Sequence, residues 1–488
     1  MEIKILAKNT MILASPKVLK FFVGLLKSKF IAIFLGVTGF GLIDQLTNTI
    51  TQIRNISLSL LPHGMVKLIA QQNAEEFDLN KISEIIKTYF IMVLPLAITI
   101  TLMGYLFADE LTIFVFGDLK YKLYFLIGFS ALPITVFSTS LHGFFRAFKE
   151  IKSIAYSEFI IIIINLIIFL PLVYYFKVIG GIIYSTLAFF VTFIVVFSLV
   201  KKNIFNKYNI TFNDVKQAVF SIKYFKELVG FVGVGIIIGI FRVIEDVSIR
   251  SIVVNELGID KLGIYSPITK WASLFLGFIL PASFTYLFPR LSEAKNNKDI
   301  TNVINDVIRL LTFVILPFII IGVSTRERII PLFFSKDFIE ASIYLPYHFS
   351  ALLFVIWSQI FEQIFAPIGK LKPLVIFVII TSTISLLATY YLVPLFGLYG
   401  YMIKFTIIPF FTIIAYFLFW KQKIEFALKI ENKKIIIYSF FCCIVLLLMK
   451  DFSVYLQLLS WLLILPLYLL LNQKEKYFLK NKILSILK

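Results

Sequence analysis

Charge is scarce in this sequence. Asp, Glu, Lys and Arg make up 15% of its 488 residues and hydrophobic residues 59%, whereas a soluble globular domain carries roughly 25% charged residues. A water-soluble fold is excluded. Cysteine is nearly absent: Cys442 and Cys443 are neighbours in an apolar run, so they supply neither a disulfide framework nor metal-ligand spacing and are expected to be packing residues. The three histidines, His63, His142 and His348, lie far apart without ligand spacing; each is expected to be a hydrogen-bonded helix residue, and no metal site is expected. No GxxxxGK[ST] loop occurs, so ATP is not bound by that route and no cofactor is expected. Near the N-terminus no small-residue cleavage site follows a short apolar core, so no removed signal peptide is expected.

Long apolar runs are what the sequence has instead, for example 91–107, 160–176, 374–395 and 435–449. A bilayer span needs about 20 mostly apolar residues, and the ten-residue alternating strands of a β-barrel would not give such runs. The expected fold is an all-α polytopic membrane protein of about fourteen transmembrane helices. The spans are read at 18–38, 42–70, 86–107, 121–147, 153–176, 179–200, 226–254, 263–289, 303–324, 342–366, 373–394, 397–420, 434–450 and 453–471. Prolines 95, 133, 171, 281, 317, 367 and 394 fall within or at the ends of these spans, where they bend helices and free carbonyls.

Lys and Arg number 47 against 28 Asp and Glu, a formal charge of +19. In a soluble protein this would suggest nucleic acid; here the excess sets orientation, because cytoplasmic loops collect Lys and Arg. With a cytoplasmic N-terminus, 30 basic residues fall in cytoplasmic segments and 8 in external connections. No nucleic-acid partner is expected, and both termini are placed in the cytoplasm.

The chain also repeats. Leu35 to Leu42 (LGVTGFGL) lies over Leu257 to Ile264 (LGIDKLGI) at an offset of 222, both reading LGxxxxG. Lys149 to Lys152 matches Gly369 to Lys372, and Phe176 to Gly180 matches Phe396 to Gly400, both offset by 220. Three ordered matches predict two six-helix halves in the same orientation, related by an axis along the membrane normal. The expected divisions are an N-lobe over 1–200, a cytoplasmic linker over 201–225, a C-lobe over 226–420, and two extra helices with a basic tail over 421–488.

Nine basic residues remain beyond those 38 and fall inside the spans away from the counted ends: Lys27, Lys29, Arg54, Lys67, Arg242, Arg250, Lys270, Arg309 and Lys404. A charge near the bilayer centre costs roughly 2.5 to 3.5 kcal/mol on insertion scales, so such residues face a cavity or a partner. Lys67 and Arg309 lie close enough to the cytoplasmic ends to snorkel. Arg54 belongs to a stripe of Asp44, Thr47, Asn48, Thr51, Arg54, Asn55 and Ser59, spaced by three or four residues and so on one helical face. That face is either a functional lining or an interhelical hydrogen-bond seam. Arg242, Glu245, Asp246 and Arg250 share one side of the seventh span, where Arg242 can pair with Glu245 or Asp246 and Asp246 with Arg250. Without the snorkelling pair, seven interior bases stand against five acids (Asp44, Glu158, Glu245, Asp246 and Glu362). A mildly basic interior favours an anionic cargo, since guanidinium groups match phosphate and carboxylate oxygens. Gly233, Gly235 and Gly239 form a GxGxxxG read as close helix packing.

The segment LGVTGFGLIDQLTN at 35–48, the run from Leu141 to Lys149 (LHGFFRAFK) and that from Ser283 to Ser292 (SFTYLFPRLS) resemble segments of bacterial O-antigen and capsule repeat-unit flippases. These belong to the multidrug/oligosaccharidyl-lipid/polysaccharide exporter superfamily. The resemblance covers most of 18–420 and implies a non-enzymatic, MATE-like transporter of the inner membrane, with two lobes opening alternately to either side. The implied cargo is an undecaprenyl-pyrophosphate-linked oligosaccharide repeat unit, moved from the cytoplasmic to the outer leaflet. A monomer is expected, in the bilayer, with a polysaccharide polymerase as a partner. The cavity residues expected to meet the cargo are Arg54, Arg242, Arg250, Lys27, Lys270, Lys404, Asn48 and Asn55; Asp44, Glu245 and Asp246 are the candidates for ion coupling. Two alternatives stay open: a lipid II flippase for peptidoglycan synthesis, and a cation-coupled multidrug antiporter. A membrane-embedded polymerase or ligase is disfavoured, because the longest external connection, about 325–341, is short.

Overall fold

The structure is a computed structural model that describes residues 2–58, 61–74, 77–452, 454–473 and 475–476. Among them no strand occurs. The helices are α1 (Glu2–Leu58), α2 (Leu61–Ala74), α3 (Leu79–Leu106), α4 (Ala108–Phe116), α5 (Lys122–Phe129), α6 (Leu132–Ala147), α7 (Ile151–Val200), α8 (Phe212–Gln217), α9 (Ile222–Leu257), α10 (Ile259–Glu293), α11 (Asn297–Ser324), α12 (Arg326–Phe333), α13 (Ala341–Gln363), α14 (Leu371–Phe396), α15 (Leu398–Ile424), α16 (Ile430–Leu448), α17 (Val454–Leu458) and α18 (Leu465–Leu470).

Among the described residues nine helices are long and apolar enough to cross a bilayer, or ten with the bent α9 counted as one span. The expected fourteen are not all separate helices, for physical reasons. The second part of α1 carries the polar stripe, and α1 breaks at Gly36 (φ 64°, ψ −165°), earlier than the expected boundary at 39–41. The 50-residue α7 breaks at Lys177 (φ 52°, ψ −131°); at 1.5 Å per residue a straight helix of that length would far exceed a hydrocarbon core of about 30 Å. The expected last span is divided between α17, a 3₁₀ stretch Leu459–Ile464 and α18, and the apolar Tyr455–Leu470 falls short of about 20 residues. Within α9, Ile222–Gly230 and Gly235–Leu257 are bent by 52°.

Contacts group the chain into two units, residues 1–263 with 378–386, and residues 264–377 with 387–488. In the first, α1 packs along α7 and α9, and α6 packs on α7. Its core includes Met65, Ile85, Tyr89, Phe144, Val196 and Leu228, all buried. In the second, α13 packs against α11 and α15, and α11 against α16. Cys442 and Cys443 are buried there as free thiols, and His348 is buried with its Nδ1 2.9 Å from the Tyr265 hydroxyl.

The sequence repeat has a backbone counterpart. Positive φ occurs at Gly36 and Gly258 (64° and 88°), at Lys149 and Gly369 (57° and 73°), and at Lys177 and Gly397 (52° and 60°), the first residue or hinge residue of each matched segment. The α6 and α13 ends also share a hydrogen bond across the turn, Glu150 N to Phe145 O and Lys370 N to Phe365 O, each 2.8 Å. This is the wrapped closure that a left-handed residue after a helix permits. A Cβ on Gly180 would overlap the Leu172 carbonyl, and one on Gly400 the Leu392 carbonyl. Both helix hairpins therefore need glycine at the same place.

Candidate functional site

The polar stripe of α1 stands on the same face because its members are three or four residues apart, and it meets the charged face of α9 within the first unit. Asp246 is the junction. Its Oδ2 accepts from Asn48 Nδ2 at 2.5 Å and from Gln52 Nε2 at 3.0 Å. Asn55 Nδ2 lies 3.3 Å from Gln52 Oε1, and Arg54 Nη2 lies 3.3 Å from Asn55 Oδ1. At the other end Arg250 Nη1 meets Asp44 Oδ2 at 3.0 Å, and Arg250 Nε lies 3.8 Å from Asp246 Oδ2. The result is a polar track from Arg54 through Asn55, Gln52, Asp246 and Arg250 to Asp44. Ser382 Oγ donates to Glu245 Oε2 at 2.7 Å, which ties a segment of α14 to the same helix.

Charge is unevenly matched along this track. Arg250 is clamped between two carboxylates, and its side chain and that of Asp44 are 17% and 11% exposed. The closer partner is Asp44 on α1, at 3.0 Å, and not Asp246 one turn away on α9, at 3.8 Å. An opposite charge on a neighbouring helix can approach head-on, while an i,i+4 pair is limited by the helix surface. Arg54 makes no ion pair among the described residues, and its buried Nε has no hydrogen-bond partner there. A guanidinium on a polar helix face with donors to spare is suited to anionic oxygens.

The remaining expected residues fall in different places. Arg242 is half-buried on α9, one turn before Glu245. Lys27, on the first part of α1, donates to the Tyr184 hydroxyl at 2.5 Å and lies over the rings of Phe169 and Tyr184. Lys270 on α10 and Lys404 on α15 belong to the second unit; Lys404 is buried, its ammonium 5.3 Å from the Tyr401 ring centroid. Ser59, the last member of the stripe, lies outside the described residues. No group of three or more His, Cys, Asp or Glu side chains able to hold a metal ion occurs among the described residues.

Sequence reasoning passed over Gln52 and Ser382. Gln52 lies one residue from Thr51 and shares the stripe's face closely enough to reach Asp246; its amide was the available signal. Ser382 had none, because a single serine in an apolar run is ordinary. Arg309 corrects an expectation. It is not a snorkelling residue: it is 7% exposed, its Nε and Nη2 bind the two oxygens of Glu475 at 2.7 and 2.8 Å, and Nη2 also donates to Leu470 O at 2.6 Å. Two parallel N–H···O bonds to one carboxylate are the strong form of this pair. The partner lies far along the chain, so no local pattern announced it.

A bundle of long apolar helices and a repeat with matched hinges define an all-α polytopic membrane protein. The structure resembles an inward-facing multidrug resistance MATE family transporter of the MOP superfamily, with a TM-score of 0.71 at 16% identity over 85% of this chain and 98% of that one. It also resembles the lipid II flippase MurJ in an inward closed conformation, with a TM-score of 0.72 at 16% identity over 93% and 97%. The polysaccharide biosynthesis protein family matches residues 6–295, more than half of the chain, and the chain belongs to that family. Among curated relatives, a Shigella flexneri protein named "Putative O-antigen transporter" is 29% identical over 203 residues, which span 40% of this chain and 47% of that protein. The lipid III flippase of Escherichia coli (strain K12) is 22% identical over 437 residues, 86% of this chain and 99% of its own length. These relatives and neighbours are transporters and flippases.

Proposed function

We propose that this protein is a flippase that carries undecaprenyl-pyrophosphate-linked oligosaccharide repeat units, for O-antigen, capsule or a related polysaccharide, from the cytoplasmic to the outer leaflet by alternating access. The observation that carries the reading is Arg54, a guanidinium without a carboxylate partner among the described residues, at one end of a polar track in a chain of the polysaccharide biosynthesis family. A pyrophosphate needs such donors, and a lipid tail needs none. Asn48 and Asn55 accompany Arg54 on α1, and Lys27, Arg242 and Arg250 of the same unit are the further basic candidates; Lys270 and Lys404 of the second unit are proposed cargo contacts in their own right.

Asp44, Glu245 and Asp246 are the groups through which an ion could be coupled. Protonation or cation binding at Asp246 would loosen its hold on Asn48, Gln52 and Arg250 together. No covalent chemistry is assigned. The lobes are taken as 1–200 and 226–420, joined by the basic linker 201–225 and followed by the addition 421–488. The protein is placed in the inner membrane as a monomer with both termini in the cytoplasm, working beside a polysaccharide polymerase.

A deletion strain tests the reading. Lipid-linked repeat units should accumulate on the inner leaflet while surface glycan is lost. Accumulation of lipid II instead would move the protein to peptidoglycan synthesis. Normal glycan together with export of ethidium by the purified protein in liposomes would make it a drug antiporter.

A further inference from the structure

The first unit carries a second feature, apart from the polar track. A groove of about 950 Å³ runs between α3, α6 and the end of α7, with α8 across one end. Its long walls are apolar, with Phe90, Leu94, Phe137 and Phe197 among them, and its cations, Lys87, Lys201 and Lys216, come from that one end. Lys87 is committed to the fold, donating to the carbonyls of Lys216 at 2.8 Å and Ala218 at 2.6 Å, so it holds the end of α8. Lys201 and Lys216 are exposed and make no ion pair among the described residues. The nearby carboxylate Asp214 is spent on Thr211, in a capping box that starts α8.

Two further observations place this end at the membrane surface. α7 ends in a π-helical turn, Lys201–Phe205, and such turns are frequent at functional sites. Beyond it, Phe212, Val219 and Ile222 are 82%, 70% and 64% exposed in a connection, 201–226, that holds six lysines. Large apolar side chains standing out of a basic segment suit the boundary between headgroups and acyl chains. The lysine count makes this the cytoplasmic side.

We infer that the groove holds one anionic phospholipid of the cytoplasmic leaflet, with its phosphate against Lys201 and Lys216 and its acyl chains along Phe90, Leu94, Phe137 and Phe197. Charge complementarity selects this occupant. A zwitterionic lipid would gain the same apolar contacts but no net attraction to the two ammonium groups, and basic pockets between transmembrane helices on the cytoplasmic side are suited to anionic headgroups. A lipid there would lie between α8 and the bundle, where it could set the position of the connection that leads into α9.

Native mass spectrometry of the delipidated full chain, offered dioleoyl phosphatidylglycerol or dioleoyl phosphatidylethanolamine, tests this. Phosphatidylglycerol should be retained about tenfold better than phosphatidylethanolamine, and the double variant K201Q/K216Q should bring the two to parity. Leu94→Trp, which fills the groove without touching either lysine, should lose phosphatidylglycerol as well and keeps the test open if the lysine variant folds poorly. Equal retention by the wild-type chain, or an unchanged preference in both variants, overturns the inference. Displacement of phosphatidylglycerol by an equimolar amount of undecaprenyl pyrophosphate also overturns it, and would make the groove a port for the cargo.

Discussion

Gly41 and Gly263 face each other across a helix crossing, although they are 222 residues apart and hold equivalent places in the repeat. A Cβ on Gly41 would stand 2.5 Å from the Ile259 carbonyl oxygen, and one on Gly263 would run into the Val37 carbonyl. Beside them Thr38 Oγ1 donates to Asp260 Oδ1 at 2.5 Å, again a pair of equivalent positions. The two copies of LGxxxxG therefore meet at their own second glycines, and the small residue is required by backbone and not by a side chain that could move aside.

Gly41→Val or Gly263→Val should accordingly lower the unfolding temperature of the purified protein and abolish surface glycan, since overpacking costs about 1–3 kcal/mol even where side chains can yield. Gly24→Ala is the control, because its Cβ would meet nothing within 4 Å. A differential scanning trace for each variant decides the matter; wild-type melting of both valine variants would refute the close crossing.

Arg54→Ala should leave the protein in the membrane and remove surface glycan, and Arg54→Lys should restore only part of it, because a single ammonium does not reproduce the two-pronged donor. Lys67→Ala should have little effect. Membrane fractions and glycan blots from the same cultures separate loss of protein from loss of transport.

Asp44 and Arg250 should behave as one unit. Breaking a buried pair from one side costs about 3–5 kcal/mol, so Asp44→Asn and Arg250→Gln should each be severe, and the double variant should be much less damaging than the two effects added. A double-mutant cycle on unfolding free energy measures this coupling. Additive losses would mean that the 3.0 Å contact carries no energy.

The clasp between Arg309 and Glu475 should depend on pH. Burial raises the Glu475 pKa, but hydrogen bonds from Arg309 and the Asn472 backbone, with the Arg309 charge, outweigh it and leave the value below the usual 4.5. A lowered carboxylate pKa stabilises the fold at pH above its unfolded value, and that contribution is lost as pH falls through the folded one. Arg309→Ala should therefore lower the melting temperature at pH 7 and make less difference at pH 3. An identical effect at both would sink the assignment.

Much of this was readable from the chain. Apolar runs marked the helices, and the spacing of Asp44, Asn48, Arg54 and Asn55 marked the face that meets α9. Glu245, Asp246 and Arg250 stood out because charge is expensive in hydrocarbon. Partner choice was not readable. Arg250 takes Asp44, and Arg309 takes Glu475, across 206 and 166 residues, and no periodicity encodes contacts between distant helices. One boundary shifted: Gly36 turns the chain inside an apolar stretch just before the expected gap at 39–41, where hydropathy sees no interruption, whereas Lys177 turns it within the gap expected between 176 and 179.

Lysine is a costly occupant of the turns at 149 and 177. An L-residue with positive φ crowds its Cβ against the carbonyl, which glycine avoids, and the matching turns at 369 and 397 are glycine. Torsion angles thus agree at these paired turns where residue identity does not. Placing glycine at position 177 would relieve crowding while giving up the lysine's place near Phe34 and Tyr174, so the balance between those two quantities sets what a lysine costs or gains at this hinge.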